Sequence, residues 1–174
     1  MSASAADILR ERARRLARAT ATDGASLDDL ELLEFRLADE TYAVETRHVV
    51  EVHVLRDLTP LPGTPEFVRG IVNLRGHILP VFDLKKFFAL PEQGLGDLHR
   101  IIVVRGADLE LGLLADTVTG VTREPRAGLA ATLPTLTGIG AQYLLGVNER
   151  RLVVLDLDRI LADPAIVVRD EAEA

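Results

Sequence analysis

Residues 67–84 read FVRGIVNLRGHILPVFDL, and this stretch predicts a β-hairpin. Two apolar runs, Ile71 to Leu74 and Ile78 to Phe82, lie on either side of Arg75-Gly76. A tip that contains glycine suits a tight hairpin turn, because glycine tolerates the positive φ angles that such turns require. We therefore expect Arg75 and Gly76 to form the tip of a hairpin.

The strand pattern extends on both sides of this hairpin. Upstream, apolar residues alternate with polar ones, which is typical of half-buried strands; they are Leu33, Phe35, Leu37, Tyr42, Val44, Val50, Val52 and Val54. Downstream, a short helix is expected from Leu84 to Ala89, before Pro91. Pro80 interrupts the second strand of the hairpin. Because proline cannot donate to a ladder, we expect it at a sheet edge or a bulge.

The same pattern starts again in the second half of the chain, which indicates an internal repeat. Residues 42–52 align without a gap on residues 111–121, and residues 79–88 align on residues 152–161. In both copies an apolar strand ends in Asp-Leu and runs into one helical turn. Coincidental similarity between two β-rich stretches is the alternative explanation.

The repeat predicts an all-β fold of two small five-stranded barrels in tandem, with short helices and an N-terminal helical extension. Each copy is near the lower size limit for a stable unit, so the two are expected to pack tightly or to exchange a strand. We assign a helical leader and linker to residues 1–26, the folded domain to 30–168 and an acidic tail to 169–174. The first subdomain is expected at about residues 31–91 and the second at about 97–168.

Composition and charge exclude several classes of function. The chain has no cysteine, so disulfides, thiolate zinc sites and cysteine nucleophiles are ruled out. The net charge is −7, and because residues 1–22 carry +3, residues 23–174 carry −10. An acidic body lacks the basic face that nucleic-acid binding needs. No apolar run approaches the roughly 18 residues of a membrane helix, so a cytoplasmic protein without membrane insertion is predicted.

The arginine-rich leader predicts a helix from Asp7 to Ala19, because alanine and arginine are strong helix formers. Its thin apolar face would leave it marginal on its own. Three interpretations stay open: a solvated or coiled-coil helix, a segment that docks on a partner or an anionic surface, and an organelle transit peptide. The acidic residues Asp7 and Glu11 oppose the last of these.

Side chains that could perform catalysis or bind a metal are scattered along the chain. No spacing groups the histidines or the acidic cluster into a metal site; these residues are His48, His53, His77, His99, Asp28, Asp29, Glu31 and Glu34. Asp83 and Asp156 occupy matching strand-to-helix junctions, where helix capping explains both. The sequence therefore predicts a protein that is not an enzyme and has no cofactor or metal.

The stretch from Phe67 to Leu84 also resembles the signature of the CheW family. That signature has an Arg/Lys-Gly-apolar lead, an Asn-Leu-Arg-Gly tip and an apolar-Pro-apolar strand ending in Asp-Leu, and each part is matched here. Tyr42 to Val44, Val49 to Val52 and Tyr143 to Val147 also resemble family positions, and the resemblance covers about residues 31–165. It implies two five-stranded SH3-like barrels, in agreement with the repeat, and no catalytic activity.

The resemblance implies partners as well. Members of the CheW family bind the regulatory domain of the histidine kinase CheA and the cytoplasmic hairpin tips of chemoreceptors, and together these form signalling arrays. We therefore expect a bacterial cytoplasmic adaptor that works at membrane-associated receptor arrays. Two alternatives stay open: an adaptor for a kinase of a non-chemotactic pathway (motility, development or second-messenger control), and an SH3-like barrel that binds a small ligand or nucleic acid.

In the hairpin, the family pattern implies partner binding by Arg75, Gly76 and Asn73, together with Gly70. Arginine stays charged and presents a rigid fork of donors to carboxylates or carbonyls, although a solvated hairpin arginine is the alternative. Gly70 and Gly76 would permit close approach of a partner backbone, but ordinary turn glycines would look the same.

A second group of expected contacts lies on other strands. Val49 and Glu51 match the receptor-facing segment of the family, where an apolar contact lies beside a charge. Val118 and Val121 occupy the equivalent places in the second copy, so the resemblance predicts a groove between the barrels that is lined from both sides. Burial in the core is the alternative for each valine. The loop from Leu129 to Ala141 is expected to provide a second kinase contact, without assignment to single residues.

Overall fold

The computed structural model describes residues 27–90, 99–131 and 139–166. It confirms the all-β prediction, because these residues form ten strands in two five-stranded sheets, with only short helices. The predicted leader helix, the acidic tail and residues 132–138 of the predicted contact loop lie outside the described residues. The predicted limits of the leader, the domain and its two subdomains stay predictions.

The elements follow one another in an order that repeats. The ten strands are β1 (Asp29–Leu37), β2 (Glu40–Glu45), β3 (Val49–Val54), β4 (Val68–Leu74), β5 (His77–Asp83), β6 (Arg100–Arg105), β7 (Glu110–Ala115), β8 (Thr117–Pro125), β9 (Leu144–Val147) and β10 (Val153–Leu155). Within the described residues the α-helices are α1 (Leu84–Phe87) and α2 (Leu157–Ala162), and 3-10 turns span Thr46–His48, Arg126–Gly128 and Ile139–Tyr143.

Each sheet is assembled from both halves of the chain. Sheet A has the order β8-β1-β2-β10-β9 and sheet B the order β3-β6-β7-β5-β4. Neighbouring strands are antiparallel except for the pairs β2/β10 and β5/β7, which are parallel. The chain passes from sheet A to sheet B through residues 46–48, the first crossover, and returns at Asp116, the second crossover.

Each sheet curls into a barrel that is closed by a backbone bridge. In sheet B, Thr59 and Ile71 exchange N–H···O bonds of 2.9 and 2.8 Å, and we call this unit barrel B. In sheet A, Ala130 and Val147 exchange two bonds of 2.9 Å each and close barrel A. These two barrels confirm the predicted fold class.

Among the described residues, buried apolar side chains form three clusters. One cluster contains only residues of barrel B, including Ile101 and Val103, and another contains only residues of barrel A. The largest cluster, called the inter-barrel cluster, contains residues of both sheets, including Ile102 and Val104. Successive residues of a strand point to opposite faces, so a central strand such as β6 is buried on both faces. This explains why its sequence is a continuous apolar run instead of an alternating one.

The junctions between strand and helix match in the two copies. The backbone N–H of Lys85 donates to Asp83 Oδ1 over 2.9 Å, and that of Arg159 donates to Asp156 Oδ1 over 3.1 Å. The side chains of Asp83 and Asp156 therefore cap α1 and α2. This confirms the capping prediction and satisfies donors that a helix start leaves free.

The expectation for Pro80 is wrong. Strand β5 lies inside sheet B, between β7 and β4, and the register shift of the β4/β5 pair lies at Val68/Gly70 instead. Pro80 faces Ile71 in β4. The N–H and C=O of Ile71 both bond Thr59, so Ile71 has no backbone group that would accept a hydrogen bond from residue 80. The parallel pairing with β7 begins one residue later, at Val81. A central strand can therefore hold a proline here, because Pro80 faces a residue that is bonded to Thr59 on one side and precedes the pairing with β7 on the other.

Candidate protein-binding site

The tip of the β4/β5 hairpin forms as the sequence predicts. Arg75 and Gly76 both have positive φ angles, 51° and 87°, which is the left-handed backbone of a tight hairpin turn. The N–H of Gly76 donates to Asn73 Oδ1 over 2.9 Å and steadies the turn. A Cβ added at Gly76 would meet no atom within 4 Å, so the tip is open on this side. The turn thus presents Arg75 to solvent, with its side chain 77% exposed.

Arg75 and Glu51, two of the predicted site residues, are in contact. Arg75 Nη1 lies 3.3 Å from Glu51 Oε2, and His53 Nε2 lies 3.0 Å from the same oxygen. His53, and to a smaller extent Arg75, hold the pKa of Glu51 below its ordinary value. The three side chains form a charged cluster that connects the hairpin tip to β3, the strand at the other end of sheet B. Most of the guanidinium of Arg75 stays available to a partner.

Gly70 has a structural role that the sequence did not reveal. Its φ is 142°, and a Cβ added there would lie 2.1 Å from the carbonyl oxygen of Thr59. Thr59 is the residue that bridges to Ile71 and closes barrel B. Glycine is therefore required at this position for the barrel to close. Whether Gly70 also touches a partner stays a prediction.

The predicted valines divide between core and surface. Val49 and Val118 are partly buried and pack against the inter-barrel cluster. Val121, in contrast, is 60% exposed, although it pairs with the buried Leu33 of β1. The structure therefore brings Arg75, Glu51 and the tip together in barrel B, whereas Val118 and Val121 belong to β8 of barrel A. The shared cluster under Val49 and Val118 is the link between the two groups.

Sequence reasoning missed several exposed residues on the strands that carry the site. Ile78, two residues beyond Gly76, is 65% exposed, and Val50 and Val52 of β3 are 43% and 38% exposed. Strand alternation contained the signal for Ile78, because Leu79 faces the core and its neighbour must face outward. His53 could have been found from its spacing of two residues from Glu51, which puts both on one face of β3. An exposed apolar side chain such as Ile78 next to a charged hairpin tip is typical of a protein-binding surface.

Comparison with known proteins agrees with this architecture. The family model described as CheW-like domain matches residues 31–165. The chain belongs to the CheW family. This confirms the resemblance seen in the stretch from Phe67 to Leu84. No helix within residues 27–90, 99–131 and 139–166 is long and apolar enough to cross a membrane.

Individual relatives cover most of the chain. The chemotaxis protein CheW of Treponema pallidum is 32% identical over 142 residues, which are 78% of this chain and 84% of that protein. Protein FrzA of Myxococcus xanthus is 36% identical over 133 residues, 73% of this chain and 82% of that protein. The crystal structure of the scaffolding protein TtCheW from Thermoanaerobacter tengcongensis superposes with a TM-score of 0.70 at 30% identity, and covers 82% of this chain and 94% of its own.

Proposed function

We propose that this protein is a non-catalytic adaptor that couples chemoreceptors to a CheA-type histidine kinase in a chemotaxis-like pathway. The observation that carries this proposal is the exposed arginine at the hairpin tip, held by Glu51 and flanked by the exposed Ile78. The surface occurs in a CheW-like domain whose relatives include chemotaxis and scaffolding proteins. We further propose that it works in the cytoplasm, at receptor arrays.

The tip is suited to recognise a carboxylate or carbonyl on a partner. Arginine has five donors in a planar fork, and its recorded contact with Glu51 is through Nη1. A partner that binds the remaining donors gains an orienting, charge-assisted contact, while the exposed Ile78 supplies apolar area beside the tip. Asn73 and Gly76 keep the turn in shape. We propose that this surface binds either the receptor tip or the kinase regulatory domain.

A second surface is needed for coupling, and we propose that it includes β8. Val121 is exposed there, and Val118 packs against the same cluster that supports Val49. An adaptor that binds kinase and receptor at once raises their effective concentration and fixes their relative orientation. Receptor state can then bias kinase activity without chemistry in the adaptor itself, because coupling requires only a difference in binding energy between two states.

The test is calorimetric titration of the full chain with the CheA-type regulatory domain from the same organism and with a receptor hairpin-tip peptide. We expect saturable one-to-one binding, and we expect Arg75→Ala to weaken at least one partner by roughly tenfold or more. Arg159→Ala is the matched control: Arg159 is 63% exposed and paired with Asp156, but it belongs to α2 of barrel A. The control should stay within about twofold of wild type.

Two outcomes would count against the proposal. Absence of binding to both partners at about 100 μM would contradict the coupling function, because specific complexes are normally tighter. Equal losses for Arg75→Ala and Arg159→Ala would show that net charge, and not the tip, determines affinity. Similarity to FrzA, which does not bear the name chemotaxis protein, favours as second candidate an adaptor for the kinase of another pathway. Binding to that kinase instead of the chemotaxis kinase would select it.

A further inference from the structure

Each crossover between the two sheets carries an ion pair. At the first crossover, Arg47 Nη2 donates to Asp158 Oδ2 over 2.6 Å, and Arg47 Nε donates to Glu45 Oε2 of β2 over 2.7 Å. At the second crossover, Lys85 Nζ donates to Asp116 Oδ1 over 2.8 Å. In both cases one partner belongs to the crossover and the other is the second residue of the helix that follows a parallel strand. The contacts therefore tie one sheet to the helix of the other.

The two pairs occupy equivalent places in the repeat, with their charges inverted. The alignment of residues 42–52 on 111–121 puts Arg47 opposite Asp116, and that of residues 79–88 on 152–161 puts Lys85 opposite Asp158. The crossover is cationic and the helix anionic at the first pair, and the reverse holds at the second. Two opposite solutions at one position indicate that attraction across the gap is what the fold requires, and not a particular residue at either end.

The second pair is the more enclosed of the two. The Lys85 side chain is 7% exposed and that of Asp116 29%, whereas Arg47 and Asp158 are 56% and 60% exposed. Asp116 Oδ2 also accepts from the N–H of Ala38 over 2.7 Å, in the β1/β2 turn of barrel A. Asp116 thus holds three chain segments together: the turn of barrel A, its own crossover, and helix α1 of barrel B.

Both pairs lie at the start of a strand that the proposed function uses. Val49 of β3 follows Arg47 by two residues, and Val118 of β8 follows Asp116 by two residues. We propose that the Arg47–Asp158 and Lys85–Asp116 pairs are clamps that fix barrel A relative to barrel B, and so act as positioning residues for the partner surfaces on β3 and β8. The clamp is a property of the free protein; its role in binding rests on the proposed adaptor function.

The test uses charge reversal, because the fold already accommodates both arrangements: a cationic crossover with an anionic helix at the first clamp, and the opposite at the second. Reversing one charge at the second clamp, by Lys85→Asp or Asp116→Arg, replaces the attraction between the two side chains with repulsion between like charges. The double variant Lys85→Asp/Asp116→Arg restores the attraction with the polarity found at the first clamp. At the exposed first clamp, Arg47→Asp, Asp158→Arg and their double form the parallel series. Those side chains lie mostly in water, so these variants should fold even if the buried ones do not.

The geometry of the barrels is measured without a partner. The chain has no cysteine, so Glu149→Cys in the β9/β10 turn and Arg56→Cys after β3, both exposed, give one spin label on each barrel. The distance between the two labels is measured by pulsed electron paramagnetic resonance in wild type and in each folded variant. Wild type should give one narrow distance distribution. Single reversals should broaden or shift it, and both double variants should return it to the wild-type distance.

Affinity of the unlabelled chains for the kinase regulatory domain, by calorimetry, completes the test. We expect single reversals to weaken binding by roughly tenfold and the doubles to recover most of it. If the distance between the labels is unchanged in the folded single variants of a clamp, that ion pair does not fix the two barrels relative to each other. A changed distance with unchanged affinity overturns the positioning role. If wild type does not bind the kinase domain, the adaptor function fails, while the distance measurement still decides whether the clamps exist.

Discussion

The β4/β5 hairpin of barrel B and the β9/β10 hairpin of barrel A occupy equivalent places and differ at their tips. Both contain a glycine with positive φ, Gly70 and Gly146, beside the residue that closes the barrel. Both precede an aspartate-capped helix. The first tip presents Arg75, held by Glu51 of β3, whereas Arg150 next to the second tip is paired with Glu124 of β8. The comparison separates positions that keep the barrels closed from positions that are free to serve binding.

The largest effects should come from the closing glycines. A Cβ at Gly70 would lie 2.1 Å from the Thr59 oxygen, and one at Gly146 would lie 2.8 Å from the Ala130 oxygen. We expect Gly70→Ala to lower the free energy of unfolding by about 3–4 kcal/mol and Gly146→Ala by about 2 kcal/mol, because both add strain and a clash with backbone. Urea denaturation of both variants measures the difference. Equal losses would mean that the closer contact in barrel B is relieved by movement of the chain.

The next effect concerns the two clamps. Lys85→Met leaves Asp116 without its cation at a site where Lys85 is 7% exposed, and we expect a loss of about 3 kcal/mol in the free energy of unfolding. Arg47→Met removes the bonds to both Asp158 and Glu45, but because the Arg47 side chain is 56% exposed the loss should stay at about 1 kcal/mol. Denaturant titration at two salt concentrations gives both values. A clear salt dependence for the Lys85–Asp116 pair would contradict its enclosure.

Acid should weaken the second clamp. Desolvation is the largest single influence on Asp116 and raises its pKa. The hydrogen bonds from Lys85 and the Ala38 amide, together with the nearby His99, lower the pKa by more than this, so the pKa of Asp116 lies below its ordinary value. A carboxylate with a lowered pKa in the folded state stabilises the fold above its unfolded-state pKa, and that stability is lost as the pH falls through the folded-state value. The advantage of wild type over Asp116→Asn should therefore be full at pH 7 and shrink below about pH 4.

Unfolding free energies measured between pH 7 and pH 3 check this expectation. Asp158→Asn is the control at the first clamp, where the bond from Arg47 lowers the pKa of Asp158 in the same direction. Because that carboxylate is exposed, its advantage over asparagine should be smaller at pH 7 and should fall over the same range. A difference that grows on acidification would contradict the assigned direction of the pKa shift.

The smallest effect on stability should come from the hairpin tip itself. Arg75 is 77% exposed, so Arg75→Ala should change the free energy of unfolding by less than about 0.5 kcal/mol. Asn73→Ala removes the bond from the Gly76 N–H and should cost about 1 kcal/mol, because the turn loses a side-chain acceptor. Thermal denaturation followed by circular dichroism distinguishes the two. A large loss for Arg75→Ala would assign the arginine to the fold instead of to a partner.

Local features of the fold could be predicted because they depend on neighbours in the chain. The Arg75-Gly76 tip follows from turn chemistry, and the capping by Asp83 and Asp156 follows from their place before a helical turn. Pro80 was misjudged because the rule for proline in strands presumes that every central position needs a donor. At this position the facing residue, Ile71, forms its backbone hydrogen bonds with Thr59. The N–H that Pro80 lacks would therefore have faced β7, and the pairing with β7 starts only at Val81.

The site could be predicted in part for the same reason. The family pattern and the turn signal pointed to Arg75, and the contact with Glu51 joined two predicted residues that lie on different strands. The exposed Ile78 and the clamps were not foreseen. Arg47 and Asp158 are 111 residues apart, and nothing in a single sequence distinguishes such a pair from other surface charges.

The sequence by itself determined the strands, turns, helix caps and internal repeat, because periodicity and turn chemistry act over a few residues. Only the tertiary structure decided that each barrel takes strands from both copies, with β8 beside β1 and β5 beside β7. It also decided that one clamp is buried and the other exposed. Strand pairing and burial depend on which distant surfaces meet. Because every residue except proline offers the same backbone hydrogen-bonding groups, the sequence of a strand does not determine which strand it pairs with.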